Sequence, residues 1–269
     1  MEKSTKDNEI NFNTLGFLNN FGQAKTHSHI DMDIEILLTL ATAIFLGFYV
    51  QTVVGFAGAL IALPILLLKL EFADAVTYIS IFYVFSSLFL VRKEWKNMDK
   101  KILVRLAIAS LVGVLIGISV LLFAKPLILK KALGVFILLY VGHSLFGKKK
   151  IVLSKIGVYI VGVLAGFFSG VFTTGGPLYV MCVDNTVKDV KALRATMIGV
   201  LGMVTIARVP ALAAGGILNV HHLQMTLYVF PVFLLAQYLG NRTFVKMDET
   251  LFKRALLALL CISGTVLIF

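Results

Sequence analysis

"GFFSGVFTTGGPLYV", residues 166–180, lies inside a long apolar run, yet it carries four glycines, two adjacent threonines and a proline. A helix that crosses a bilayer gains nothing from them. Non-helical backbone at membrane depth is tolerated only where protein or a water-filled cavity surrounds it. Glycine permits close approach and positive φ. Proline is accepted in the first turn of a helix, where its missing N–H is not needed. Thr173 and Thr174, ahead of Gly175, Gly176 and Pro177, therefore read as a cap followed by a helix start. The new helix is short, because "LYVMCV" meets Asp184 almost at once. The stretch reads as two half-helices that meet inside a membrane.

The rest of the chain agrees with a membrane setting. Its 269 residues are 59% hydrophobic and only 14% charged, with a mean hydropathy of +0.93. A soluble domain of this length carries more surface charge. The apolar runs are solid, whereas the strands of an outer-membrane barrel alternate. The expectation is an all-α integral membrane protein. The net charge of +11 then reports topology rather than nucleic-acid binding. Cys182 and Cys261 both sit in apolar runs, as neither disulfide partners nor metal ligands. Residues 1–33 are polar and lack a signal-peptide pattern, and they read as an N-terminal extension. Its "HSH" at His27–His29 is a solvated tail rather than a metal site.

A spanning helix needs about 20 apolar residues. Apolar blocks fall at 34–53, 54–70, 73–91, 102–123 and 127–147. A second set lies at 154–173, 176–185, 192–214, 220–240 and 252–269, and a basic linker at 148–153 separates the sets. The stretches 92–101, 147–155, 184–194 and 241–254 hold 16 of the 25 Lys and Arg. The positive-inside rule places them in the cytoplasm. All ten blocks must then count as crossings or paired half-crossings. Each set has an odd number of segments, so the sets enter the membrane with opposite orientation and both chain ends lie outside.

The two sets also match in sequence. "GFYVQTVVGFAG" (Gly47–Gly58) aligns with "GFFSGVFTTGGP" (Gly166–Pro177) without a gap. "KKALGVFILLYVG" (130–142) aligns with "KRALLALLCISGT" (253–265), and Gly117 and Gly240 hold equivalent places. Matches in order, with orientation inverted by charge, predict an inverted-topology internal repeat with a discontinuous helix at the start of each half, 34–147 and 154–269. Transporters of that architecture bind substrate where the repeats meet. Two helix N-termini would point inward, each with about half a positive charge and unpaired N–H groups. The expected site for a small anion comprises Gln51, Thr52, Gly55 and Gly58 from the first break and Thr173, Thr174, Gly175 and Gly176 from the second. Thr174→Val and Thr52→Val should both weaken binding without unfolding the protein. The competing reading makes the glycines small-residue contacts between helices.

The remaining polar residues narrow the chemistry. All 14 acids lie outside the blocks or near their ends, which disfavours a cation carrier and leaves the coupling ion unassigned. Arg208 is the one cation well inside a block. It either snorkels to the outer interface or serves as a counter-charge for an anion. Gln237 joins the candidate substrate ligands because its amide is hard to satisfy locally. Pro210 is expected to break or kink its helix. His143 reads as interfacial packing, and His221 and His222 have no role. No His, Asp, Glu or Cys cluster marks an enzyme at either membrane face, and neither metal nor cofactor is expected.

The residues "GFYVQTVVGFAGALIALP" (47–64) and "GFFSGVFTTGGPLYV" (166–180), with the basic central loop, make the chain resemble the sulfite exporter TauE/SafE permease family. The similarity covers roughly residues 34–269. The chain departs from the family's usual pattern in the sparser glycine of "GFAGAL" and in Gln51 and Thr52. The resemblance implies a multi-pass permease of a bacterial cytoplasmic membrane, handling sulfite, sulfonates and related sulfur anions. The expected function is alternating-access transport of such an anion. An anion channel or a carrier of another small organic acid is the alternative, with a membrane enzyme or assembly factor behind it. The partners expected are the anion and membrane lipid, with a homo-oligomer left open and no nucleic acid.

Overall fold

The computed structural model describes residues 34–146, 153–183, 187, 189–244 and 249–268. The N-terminal extension 1–33 with its histidines, and nearly all of the basic linker, lie outside them. Internal contacts divide the chain into Met1–Thr39 and Leu40–Phe269. In the first unit the described residues are helical, and the Thr39 hydroxyl donates to the Glu35 carbonyl at 2.9 Å. The second unit holds the helix packing and the candidate site.

Each apolar block is a helix, and no strand occurs among the described residues. The helices are α1 Ile34–Val54, then α2 Gly58–Leu66, α3 Phe72–Glu94, α4 Lys100–Phe123, α5 Pro126–Phe146, α6 Lys155–Phe172, α7 Gly176–Val183, α8 Val190–Ala214, α9 Val220–Phe244 and α10 Glu249–Ile268. Six helices (α1, α3, α4, α5, α8 and α9) are long and apolar enough to cross a membrane. At 1.5 Å per residue, the 9 residues of α2 and the 8 of α7 reach less than half of a hydrocarbon core about 30 Å thick. The outer face of α4 presents Ile108, Val112 and Leu115 at 56–60% exposure. Such a face suits lipid and not water.

Glycine sets how closely the helices approach. α4 and α6 cross in near backbone contact. A Cβ at Gly113 would lie 2.0 Å from the Val163 carbonyl oxygen, and one at Gly166 would lie 2.3 Å from that of Ser110. In the opening stretch, then, Gly166 and Gly170 are packing residues, as the competing reading had it, while Gly175 and Gly176 belong to the interruption. α5 meets α10 in the same manner through Gly134 and Gly264. An aromatic core of Phe48, Phe82, Tyr83 and Phe233 joins α1, α3 and α9, with ring centroids 5.3–5.9 Å apart. Pro210 does not end α8, which runs on through it to Ala214. The missing N–H of a proline costs one hydrogen bond, which the helix absorbs at an exposed position.

Candidate functional site

α1 stops at Val54. Gly55 takes φ 88° and Ala57 takes φ 73°. The Gly55 N–H closes the last turn on the Gln51 carbonyl at 2.8 Å. Position 55 needs glycine twice over, because a Cβ there would also sit 2.9 Å from the Arg194 carbonyl oxygen. The Gln51 side chain bridges the gap. Its Nε2 donates to the Gly55 carbonyl at 3.3 Å, and its Oε1 accepts the Gly58 N–H at 3.2 Å. The Tyr83 hydroxyl donates to the same Oε1 at 3.1 Å and accepts the Ala59 N–H at 3.4 Å. The first N–H groups of α2 are therefore answered from within the protein.

The second interruption is built differently. Thr173 adopts φ 58° and ends α6. Its N–H bonds the Ser169 carbonyl at 3.0 Å, and the Thr174 N–H bonds that of Phe168 at 3.4 Å. That is the reciprocal closure of a helix C-terminus, usually given to glycine. The expected N-terminal cap is thus corrected: Thr173 closes α6 rather than opening α7. The amides of Gly175 and Gly176 have no acceptor among the described residues. A Cβ at Gly175 would collide with Ser169 Oγ at 2.1 Å, and one at Gly176 would touch the Phe56 ring at 3.1 Å. The two interruptions are therefore in direct contact.

They meet at a narrow cleft that, as it stands in this structure, is too tight to admit a water molecule. Its lining includes Ala57, Ala59 and Tyr83 on one side and Thr173, Thr174 and Gly176 on the other. Arg208 lies beside it and is 2% exposed. Its Nη1 donates to the Ser169 carbonyl at 2.9 Å, and its guanidinium stands 5.8 Å from the Tyr83 ring centre. Arg208 points inward and does not snorkel. Arg208 Nε, Thr174 Oγ1 and Ser169 Oγ are buried without a hydrogen-bond partner among the described residues, and the first two stand beside the cleft. A buried polar group left unsatisfied costs about 1–3 kcal/mol, so two of them beside one cleft mark a place suited to a ligand.

Thr52 and Gln237 are brought together elsewhere. The Thr52 hydroxyl shares its one proton between the Phe48 carbonyl at 2.7 Å and Gln237 Oε1 at 2.8 Å, and Gln237 Nε2 donates to Ser86 Oγ at 2.8 Å. The pair ties α1, α9 and α3 and engages both ends of the Gln237 amide. Thr52→Val would strip a buried bond from that tie, so its effect reads on stability before binding. Arg194, counted in sequence as a loop charge, is 2% exposed. Its Nη1 meets Glu94 Oε1 at 2.9 Å and its Nε caps the Thr52 carbonyl at 2.9 Å. Tyr83 was missed in the sequence, because a tyrosine in an apolar run looks like every other core aromatic. Among the described residues no cluster of His, Cys, Asp and Glu could hold a metal.

The family model described as "Sulfite exporter TauE/SafE" matches residues 39–267. A probable membrane transporter protein of Methanocaldococcus jannaschii is 29% identical over 199 residues, covering 66% of this chain and 73% of that protein. No solved structure matches. The match spans both interruptions, the cleft between them and all six membrane-length helices, and the chain belongs to the sulfite exporter TauE/SafE family of membrane transporters.

Proposed function

We propose that the chain is a secondary transporter that moves a small sulfur-containing oxyanion or organosulfonate across a bacterial cytoplasmic membrane. It works by alternating access between two inverted-topology repeats, each opened by a broken helix. One observation carries the reading. Two buried polar groups without partners, Thr174 Oγ1 and Arg208 Nε, flank a cleft at which two helix starts converge. Helix N-termini favour anions through free N–H groups and the helix dipole. The open amides are those of Gly175 and Gly176, so the anion belongs on the α7 side. There Thr174 and Arg208 are its side-chain ligands, with Tyr83 and the Gln51-bridged turn as the opposite wall.

The repeat has its own support. Gly240 packs its backbone on Tyr49 and Thr52 of α1, and Gly117 packs on Phe167 and Gly170 of α6. Gly117 and Gly240 are aligned positions, and each packs its backbone on the first helix of the other half. The family's sulfite exporters favour the sulfur class, and no acid lines the cleft to repel an anion.

The test is thermal stability of the detergent-purified protein against sulfite, thiosulfate, sulfate, sulfoacetate, taurine, acetate and phosphate. A ligand at 100 times its Kd stabilises the folded state by about 2.7 kcal/mol. Selective stabilisation by a sulfur anion, abolished in Arg208→Met, is the expected result. A shift that survives Arg208→Met would put the anion elsewhere, and no shift with any sulfur anion would sink the substrate class. Counterflow in proteoliposomes separates a carrier from a channel.

A further inference from the structure

α3 is clasped to the second half of the chain at both ends. At its C-terminal end Glu94 holds Arg194 at 2.9 Å. At its N-terminal end Asp74 Oδ1 lies 3.1 Å from His222 Nε2 of α9. The two carboxylates are about 30 Å apart along one helix, close to the hydrocarbon thickness. The clasps therefore sit toward opposite faces of a membrane. Their chemistry differs. An arginine–glutamate pair keeps its charge at every physiological pH, whereas a histidine gains or loses its charge between pH 5 and 8.

The surroundings of His222 offer an acceptor to each ring nitrogen, Asn219 Oδ1 at Nδ1 and Asp74 Oδ1 at Nε2. The ring is 2% exposed and lies 4.8 Å from the Tyr78 ring. Asn219 Oδ1 accepts the His222 N–H at 3.1 Å, while the Asn219 N–H meets His222 Nδ1 at 3.3 Å. This is a reciprocal capping box with histidine in the place usual for glutamate. In the neutral ring, Nε2–H donates to Asp74, and Nδ1 faces the Asn219 N–H at 3.3 Å but also the acceptor Asn219 Oδ1 at 2.7 Å. An added proton goes to Nδ1, which stands 2.7 Å from Asn219 Oδ1, so it finds an acceptor at once. The Asn219 N–H it displaces belongs to an exposed residue and turns to water. Nε2–H to Asp74 then becomes an ion pair, stronger than the bond from a neutral ring. Facing His222 from α3 are Asp74 and Tyr78, and the neighbouring titratable group on α9 is the exposed His221.

We propose that His222, clasped to Asp74, is a proton-binding site that governs opening of the bundle at the end opposite the basic loops. Protonation tightens the clasp and holds that end closed. Loss of the proton frees it to open. The proton is thereby a second ligand, beyond the anion. The opening role rests on the alternating-access reading, whereas the proton site itself needs no anion.

The experiment places spin labels at Glu71→Cys, which precedes α3, and His221→Cys on α9, exposed positions beside the clasp. The native thiols are removed by Cys182→Ala and Cys261→Ser. Distances are measured by pulsed electron resonance in lipid nanodiscs without anion, at about pH 5.5 and about pH 8.5, either side of histidine titration. The expected result is one short distance in acid and an added longer population in base. In His222→Gln, which can bond Asp74 but holds no proton, the distributions at the two pH values should coincide. A pH-independent distance in the otherwise native background, or a pH response that persists in His222→Gln, would overturn the proposal. Because no anion is present, failure to bind sulfur anions leaves this result untouched.

Discussion

Replacing Thr174 by valine should make the ligand-free protein more stable and the ligand-bound protein weaker in binding. Thr174 Oγ1 is buried and unpartnered, and valine keeps the shape of threonine while removing the hydroxyl. The desolvation penalty of an unsatisfied buried group is about 1–3 kcal/mol, so Thr174→Val should stabilise the free protein by about 1 kcal/mol. If the same hydroxyl bonds the anion, losing it weakens affinity about tenfold, which is about 1.4 kcal/mol. At 100 times the parent Kd, the anion stabilises the parent by about 2.7 kcal/mol. The tenfold weaker variant gains only about 1.4 kcal/mol. The variant starts about 1 kcal/mol ahead, and the two proteins become nearly equal once anion is added. The assay is chemical or thermal unfolding in detergent with and without the stabilising sulfur anion. A variant less stable than its parent without anion would mean that the hydroxyl already has a partner. An undiminished anion response would remove Thr174 from the site.

Other substitutions test the frame around the site. Thr52→Val leaves Gln237 Oε1 without the donor it now has and should cost about 1–3 kcal/mol of stability, read from the unfolding midpoint, with the anion response kept. Glu94→Gln strips the counter-charge from buried Arg194 and should destabilise by about 3–5 kcal/mol; a melting point like the parent's would show that Arg194 relaxes to solvent. Gly113→Val puts side-chain atoms where the Val163 carbonyl stands, so no monodisperse peak is expected on size-exclusion chromatography. Gly55→Ala faces both a φ of 88° and the Arg194 backbone and should lower the melting temperature, whereas Ala57→Gly relieves a positive φ and should raise it.

Local chemistry was legible in the chain. Solid apolar blocks outline the helices, since backbone groups in lipid can be satisfied only within a helix or a closed sheet. The interruptions near Gly55 and Thr173 show themselves because glycine, threonine and proline are wasteful in a spanning helix. Pairing was not legible. Thr52 and Gln237 look like ligands in sequence because each is polar in an apolar run, yet the fold turns them toward each other across 185 positions. Arg194 and Glu94 look like loop charges at helix ends, and only packing buries them. His222 looks idle beside His221, because the carboxylate it meets is 148 positions away.

What the sequence by itself determined is where helices can run, where they must stop, and that the membrane interior holds almost no free charge. Each of these depends on a residue's own backbone preferences and its own transfer cost from water to lipid. What only the tertiary structure decided is which polar groups are spent on each other and which are left over. A hydroxyl or guanidinium becomes a candidate ligand by lacking a partner, and that is a property of its neighbours in space. Thr174 Oγ1 and Arg208 Nε lack such a partner among the described residues, whereas Gln237 and Thr52 have one in each other.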